Sequence, residues 1–200
     1  MLSSRRGRIV AFLGPDGAGK STVIDLVQKD LAELKQDYRY VYFAPGYLKR
    51  YRPNAASSIT TNPQGGRQYS SPFVLAKIGL LLFEFRMGIP KLRREVDLVL
   101  FDRFIHDLLV DPRRYRLNSL RFWMKAMLRL APKPDLVFVI CAPTETIQAR
   151  KQEVTPEETT RQISAYKALA SSMSNALVVY NTDVPEEAAK IVLAEIKKLM

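Results

Sequence analysis

The stretch GPDGAGKST, residues 14–22, restricts what this chain can fold into more than any other feature. Gly14, Gly19, Lys20 and Ser21 satisfy G-x-x-x-x-G-K-[ST], the spacing of a phosphate-binding loop. That spacing carries meaning only between a strand and a helix, and the flanks predict both. Ile9 to Leu13 form a short apolar run suited to a buried parallel strand. Beyond the loop, Val23, Ile24, Leu26, Val27, Leu31 and Leu34 recur at helical spacing. In such a loop, glycines turn backbone N–H groups inward and the helix adds its positive N-terminal end. The candidate nucleotide-binding residues are therefore Gly14, Asp16, Gly17, Ala18, Gly19, Lys20, Ser21 and Thr22. Lys20 would reach the β- and γ-phosphates of a bound nucleotide, and the Ser21 hydroxyl would take Mg²⁺.

Strand-like and helix-like segments alternate along the chain. The apolar runs predict strands at 8–13, 38–43, 98–101, 136–141 and 177–180. Helical periodicity predicts helices at 20–34, 71–86, 119–130, 144–152, 156–173 and 185–199. Such alternation implies right-handed crossovers and an α/β fold with a parallel sheet covered on both faces. Ligands then bind beyond the carboxyl ends of the strands. Residues 45–71, with Pro53, Asn54, Pro63, Gly65 and Gly66, form a connection too long for a compact domain unless it has a function. No repeat, low-complexity tract or linker divides the chain, so residues 1–200 are expected to form one domain.

A second signal lies at VDLVLFDRF, residues 96–104. An apolar strand ending in Asp102-Arg103 places a carboxylate where it can hold Mg²⁺ or its water beside the loop. The Arg103 guanidinium offers a planar fork to a phosphate. The bland alternative is that Asp and Arg merely end a strand.

Together these residues resemble the thymidylate kinase family of nucleoside-monophosphate kinases. PDLVFVICAPTETIQARKQE is similar to that family's fourth strand, turn and helix leading to a lid; RQISAYKALA resembles the helix after the lid. The resemblance extends through ALVVYNTDVPEEAAKIVLAEI and is loose only over 45–94. It implies a P-loop, three-layer α/β/α fold with a five-stranded parallel sheet, a lid near 150–161, ATP and Mg²⁺ as donor, and a small anionic acceptor, a nucleoside monophosphate first of all. It further implies that Asp16 faces the acceptor and Lys20 the transferring phosphate. Asp102 acts near the metal or acceptor, Arg103 clamps the acceptor phosphate, and Arg150 opens the lid near adenine and phosphates. Lys151 and Arg161 are candidate lid cations, with ordinary charged helix surface as the alternative.

Departures from the family pattern fall on the acceptor side. Family members carry an Arg before the Pro-Gly that follows the second strand; here Phe43 and Ala44 precede Pro45-Gly46. A Ser and a Tyr-Gln pair are replaced by the run HDLLVDPRRYR. A changed lining implies a changed acceptor, so thymidylate is expected to be a poor one. A sugar phosphate in surface-polysaccharide synthesis is an alternative acceptor. His106, the single histidine, follows Arg103 by three residues; on a helix the two would share a cleft, making His106 a candidate acceptor residue unless it is structural. Asp107 is a further acceptor candidate, sharing a face with Asp111; one of the two is expected to pair with Arg113, Arg114 or Arg116. Trp123 and the aromatics of 38–43 are expected in the core.

A net charge of +11 favours anionic partners. The rival function is an NTP-dependent switch or nucleic-acid-binding protein, but no aromatic–basic RNA motif supports it, and one Cys with one His excludes a zinc site built from them. Cys141 sits in an apolar run and is expected to be buried. The N-terminal apolar stretch is short for a signal peptide, and Lys77, Glu84 and Arg86 interrupt the apolar segment 73–89, so a cytoplasmic location is expected. Peripheral membrane contact through that segment and a homodimer stay open.

Overall fold

The computed structural model describes residues 6–48, 71–112, 121–152, 154–182 and 184–200. Its centre is β1 (Arg8–Leu13), buried on both faces from Ile9 onward. Around it lie β2 (Tyr38–Tyr42), β3 (Leu98–Asp102), β4 (Leu136–Cys141) and β5 (Ala176–Tyr180) in the order β2-β3-β1-β4-β5, all parallel. Alternate residues of each central strand enter opposite cores, as a covered parallel sheet requires. Val10, Phe12, Leu100, Phe138 and Ile140 face α1 (Lys20–Glu33) and α7 (Pro185–Leu199). Ile9, Ala11, Leu13, Val99, Phe101 and Val139 face the other layer. That layer holds α2 (Ser71–Glu95), α3 (Asp107–Val110), α4 (Arg121–Leu128) and α6 (Pro156–Ser171); α5 (Thr144–Arg150) leads into α6. The expected three-layer α/β/α arrangement with a five-stranded parallel sheet is the observed one.

Local sequence explains most boundaries. Thr155 caps α6 by accepting from the Glu158 amide at 3.4 Å, Pro156 opens its first turn, and Glu157 and Glu158 complement the helix dipole. In α7, Glu186 and Glu187 stand in the first turn and Lys197 and Lys198 in the last. The expected helix at 71–86 runs nine residues further, to Glu95, through Pro90. Val74, Ile78, Leu81, Phe85, Ile89 and Leu92 keep one face buried along its length. Each such side chain contributes roughly 1.5–3 kcal/mol on burial, which offsets the hydrogen bond a proline removes.

Gly88 makes room for the chain leaving β2. A Cβ there would lie 2.3 Å from Pro45 Cβ, so the segment Pro45-Gly46-Tyr47 packs flat on α2. Glu84, fully buried, then accepts from the Tyr47 and Leu48 amides at 2.5 and 2.6 Å. What reads in sequence as a charge interrupting an apolar segment is a clamp on the entry to the long connection. The remainder of that connection, 49–70, lies outside the described residues.

Three expectations need correction. Tyr40 and Tyr42 are exposed rather than core, because β2 is an edge strand. Trp123 is 56 % exposed, packing edge-on against Phe122 on the outside of α4. The helical spacing expected from Arg103 onward does not hold: Arg103 is left-handed and the short helix α3 begins only at Asp107. Cys141 is fully buried, as expected. No helix among the described residues is long and apolar enough to cross a membrane.

Candidate active site

Two motifs separated by about eighty residues meet because β3 inserts beside β1. Phe12 stands opposite Asp102 in the register, and the Arg103 amide donates to the Phe12 carbonyl at 2.9 Å. The loop after β1 and the Asp102-Arg103 pair after β3 therefore end at one level, beyond the carboxyl ends of neighbouring strands. They line one cavity of about 410 Å³, together with Ser21, Thr22, Tyr42, Arg150 and Lys151.

Asp16, Gly17, Gly19, Lys20, Ser21 and Thr22 all reach this cavity. Gly14 and Ala18 lie behind it as structural parts of the loop. Gly19 adopts φ 82, and a Cβ on it would lie 2.0 Å from Asn181 Nδ2. The loop is thus closed from behind by a residue that follows β5. Asn181 Nδ2 donates to the Ala18 carbonyl at 2.9 Å, and the Asn181 amide donates to the Cys141 carbonyl at 2.7 Å. Asn181 is a site residue that sequence reasoning missed: its neighbours on β4 and in the loop are remote in the chain.

Lys20 is buried, and its Nζ donates to the carbonyls of Gly14 at 2.8 Å and Pro15 at 2.9 Å. Asp16 Oδ1 lies 3.8 Å from the same ammonium. Burial, with a smaller contribution from the Arg103 charge, lowers the Lys20 pKa to about 8, against the opposing pull of Asp16 and Asp102.

Arg103 departs most from ordinary backbone geometry, with φ 72 in a residue that is not glycine. Its guanidinium forks between two carboxylates: one nitrogen donates to Asp107 Oδ2 at 2.5 Å and the other to Asp16 Oδ1. Asp107, only 1 % exposed, also accepts from the Tyr166 hydroxyl at 2.9 Å. Asp107 therefore lies behind Arg103, fixing it, and is absent from the cavity lining. Its expected partners at 113–116 lie outside the described residues.

Asp102 is buried at the cavity wall. Tyr40 donates its hydroxyl to Asp102 Oδ2 at 3.1 Å, while Oδ1 is buried and has no hydrogen-bond partner among the described residues. Burial, then the Asp102 charge, raises the Tyr40 pKa, so the phenol stays a donor. A buried carboxylate oxygen left unpaired costs stability unless something else binds it. Ser21 and Asp102 are thus the residues present that could serve Mg²⁺. Among the described residues no cluster of three or more His, Cys, Asp or Glu could hold a metal alone. That sparse set fits Mg²⁺, which keeps waters and substrate phosphates as its other ligands.

On the lid side, Arg150 and Lys151 reach the cavity, and Arg150 donates to the Thr182 carbonyl at 3.3 Å. Arg161 is not a free lid cation. It pairs with Glu158 at 2.6 Å and donates to the Val110 carbonyl at 3.1 Å, tying α6 to α3. His106 does not share the cavity with Arg103. No helix runs from residue 103, because Arg103 is left-handed and α3 begins only at Asp107. His106 instead stacks on Phe104 at 5.6 Å and faces a separate cavity.

Among solved structures, the architecture matches a thymidylate kinase from Candida albicans, with TM-score 0.66 over 98 % of this chain and 93 % of that one. The fold is that of a thymidylate kinase. Sequence identity over the match is 14 %, so the likeness extends to the fold and not to the choice of acceptor. That structure is described as revealing the origin of broad substrate specificity in its own enzyme. No protein-family model matches this chain, and no curated protein matches its sequence.

Proposed function

We propose that the protein is an ATP- and Mg²⁺-dependent phosphotransferase acting on a small anionic acceptor, with a nucleoside monophosphate as the first candidate. The observation that carries this reading is the convergence of the Lys20 loop, the unpaired Asp102 Oδ1 and the doubly held Arg103 on one cavity. When bound, ATP would supply the γ-phosphoryl group and Mg²⁺ would spread its charge. Backbone N–H groups of 14–22 would cradle the phosphates, and Lys20 would leave the two carbonyls for the β/γ oxygens. Arg103 would present its fork to the acceptor phosphate, held in place from behind by Asp107 and Tyr166. Arg150 and Lys151 would close over the donor. An acceptor that is itself a phosphate needs no strong base. A hydroxyl acceptor needs one, and Asp102 suits that role better than Asp16, which is engaged by Arg103 and Lys20.

The acceptor side supports a substrate other than thymidylate. Phe43, in the place of the family's arginine, packs against Phe85 with ring centroids 6.3 Å apart. Asp111 and Pro112, part of the run that replaces the family's Ser and Tyr-Gln pair, are buried, and Asp111 accepts from Gln162 at 3.4 Å. A site lacking the hydrogen bonds a substrate requires can lose about 10⁴–10⁵ in discrimination. The test is phosphoryl transfer from labelled ATP to thymidylate, other nucleoside monophosphates and sugar phosphates, with Lys20→Ala as control. The expected outcome is stoichiometric ADP and phosphorylated acceptor, thymidylate ranking low, and loss of at least about 10²-fold in the folded Lys20→Ala protein. Release of inorganic phosphate in place of a phosphorylated acceptor would favour an NTP-dependent switch. Thymidylate turnover with kcat/KM of about 10⁴ M⁻¹s⁻¹ or more would refute the altered-acceptor reading.

A further inference from the structure

We infer that the cavity facing His106 is a second binding site, for a small anion carrying an apolar body. The cavity holds about 500 Å³, the size of an ordinary small-molecule site, and shares no lining residue with the cavity of the Lys20 loop. It opens between α4, the end of α6 and the turn before β4. Leu109, Leu128, Leu169 and Met173 give it apolar walls. Three cations border those walls: Lys125 on α4, Arg129 in the turn just after it, and Lys133 in the turn before β4.

The charge is one-sided. No Asp or Glu lines the cavity, and none of the three cations has an ion pair among the described residues. A solvated basic surface normally intersperses both signs; three unneutralised cations around apolar walls leave a concentrated positive potential. His106 supplies a further unmet polar group, because its Nδ1 is buried without a hydrogen-bond partner among the described residues. Burial holds the His106 pKa below the ordinary imidazole value; the Asp107 charge opposes that shift and the Lys133 charge adds to it. The complementary occupant has a phosphate or carboxylate for the cations and an apolar portion for the leucines and Met173. The basic rim could also receive an anionic lipid headgroup, but a concave cavity of about 500 Å³ with its own apolar walls favours a discrete molecule, and phosphate chemistry is common to both.

His106 is the single histidine of the chain, so its ring Cε1–H gives one imidazole NMR signal, from a residue that lines this cavity and not the loop cavity. The experiment titrates the full-length protein, with ADP and Mg²⁺ present to fill the loop site, against phenyl phosphate, inorganic phosphate and phosphatidylglycerol vesicles. Phenyl phosphate is expected to shift the His106 signal saturably, with a Kd below about 1 mM. Lys125→Glu and Arg129→Glu, both exposed and unpaired, should each weaken binding about tenfold or more, the loss of one charge-assisted contact. Inorganic phosphate should bind at least about tenfold more weakly, since it lacks the apolar portion. Arg103→Ala, which empties the expected acceptor clamp, should leave the shift in place.

The proposal would be overturned by the absence of a saturable shift, a shift indifferent to both charge reversals, a shift lost in Arg103→Ala, or equal binding of bare phosphate. Binding to vesicles without binding of phenyl phosphate would also overturn it, making the face a lipid-docking patch. None of these results depends on phosphoryl transfer, so the second site and the kinase reading stand or fall separately.

Discussion

Lys20 meets two opposing demands. Its ammonium must be available to phosphates, yet in the free protein it is buried against two carbonyls and its pKa is lowered to about 8. A bound polyphosphate would hold the charged form and raise that value again. ATP binding therefore takes up almost no proton at pH 7, and close to one proton above about pH 8. The prediction is that ATP affinity is flat below pH 8 and falls by up to about tenfold per pH unit above it, read by calorimetry in buffers of different ionisation enthalpy. An affinity that stays constant from pH 8 to 9.5 would count against a phosphate-directed Lys20. Arg103 makes a sharper demand on shape, because two carboxylates hold its fork in a left-handed backbone position. Arg103→Lys can satisfy only one of them at a time and offers a point charge to the acceptor. Steady-state kinetics should show Arg103→Lys losing kcat/KM by about 10²-fold or more, close to Arg103→Ala. Near-normal activity in the Lys variant would mean that only the charge matters.

At the scale of elements, the close approach of the Pro45 segment to α2 fixes the path of the chain leaving β2. In an isolated helix, Gly88→Ala would stabilise by roughly 1 kcal/mol through helix propensity. Here the added methyl would lie 2.3 Å from Pro45 Cβ, so the segment must move and the Glu84 clamp on the Tyr47 and Leu48 amides is strained. Overpacking of that kind costs about 1–3 kcal/mol, so chemical denaturation should show Gly88→Ala to be less stable than the parent. A stabilised variant would show that the contact between α2 and the segment is loose. The pairing of α6 with α3 follows the same logic: Arg161 and Tyr166 reach across to the Val110 carbonyl and to Asp107, so α6 holds Arg103 indirectly.

For the whole molecule, an excess of eleven positive charges surrounds two cavities that both carry cations. A field of that sign speeds the arrival of anionic substrates and is screened as the Debye length contracts from about 30 Å at 0.01 M to about 8 Å at 0.15 M salt. The ratio kcat/KM for an anionic acceptor should therefore fall with added salt more steeply than kcat, when rates are compared at fixed pH. An equal fall in both would place the salt effect in the chemical step.

Local pattern determined the strands, most helices and the phosphate loop, because each rests on periodicity and turn chemistry within a dozen residues. The run 8–22 contains its own strand, its glycines and its helix start. Asp102 and Arg103 were legible as a strand end, and the order of the elements already implied a parallel sheet. Tertiary structure decided what those residues face. Placing β3 beside β1 brings Arg103 to Asp16 and aligns Asp102 with Phe12, which no local rule encodes. The left-handed turn at Arg103 sends Asp107 behind it and His106 into another cavity, so spacing along an imagined helix misassigned the histidine. Tyr40, Glu84, Tyr166 and Asn181 act on partners 36 to 163 residues away, and their roles exist only once the sheet is assembled. Backbone periodicity is a short-range property, whereas the charge balance of a buried site depends on which distant side chains the fold brings within hydrogen-bond reach.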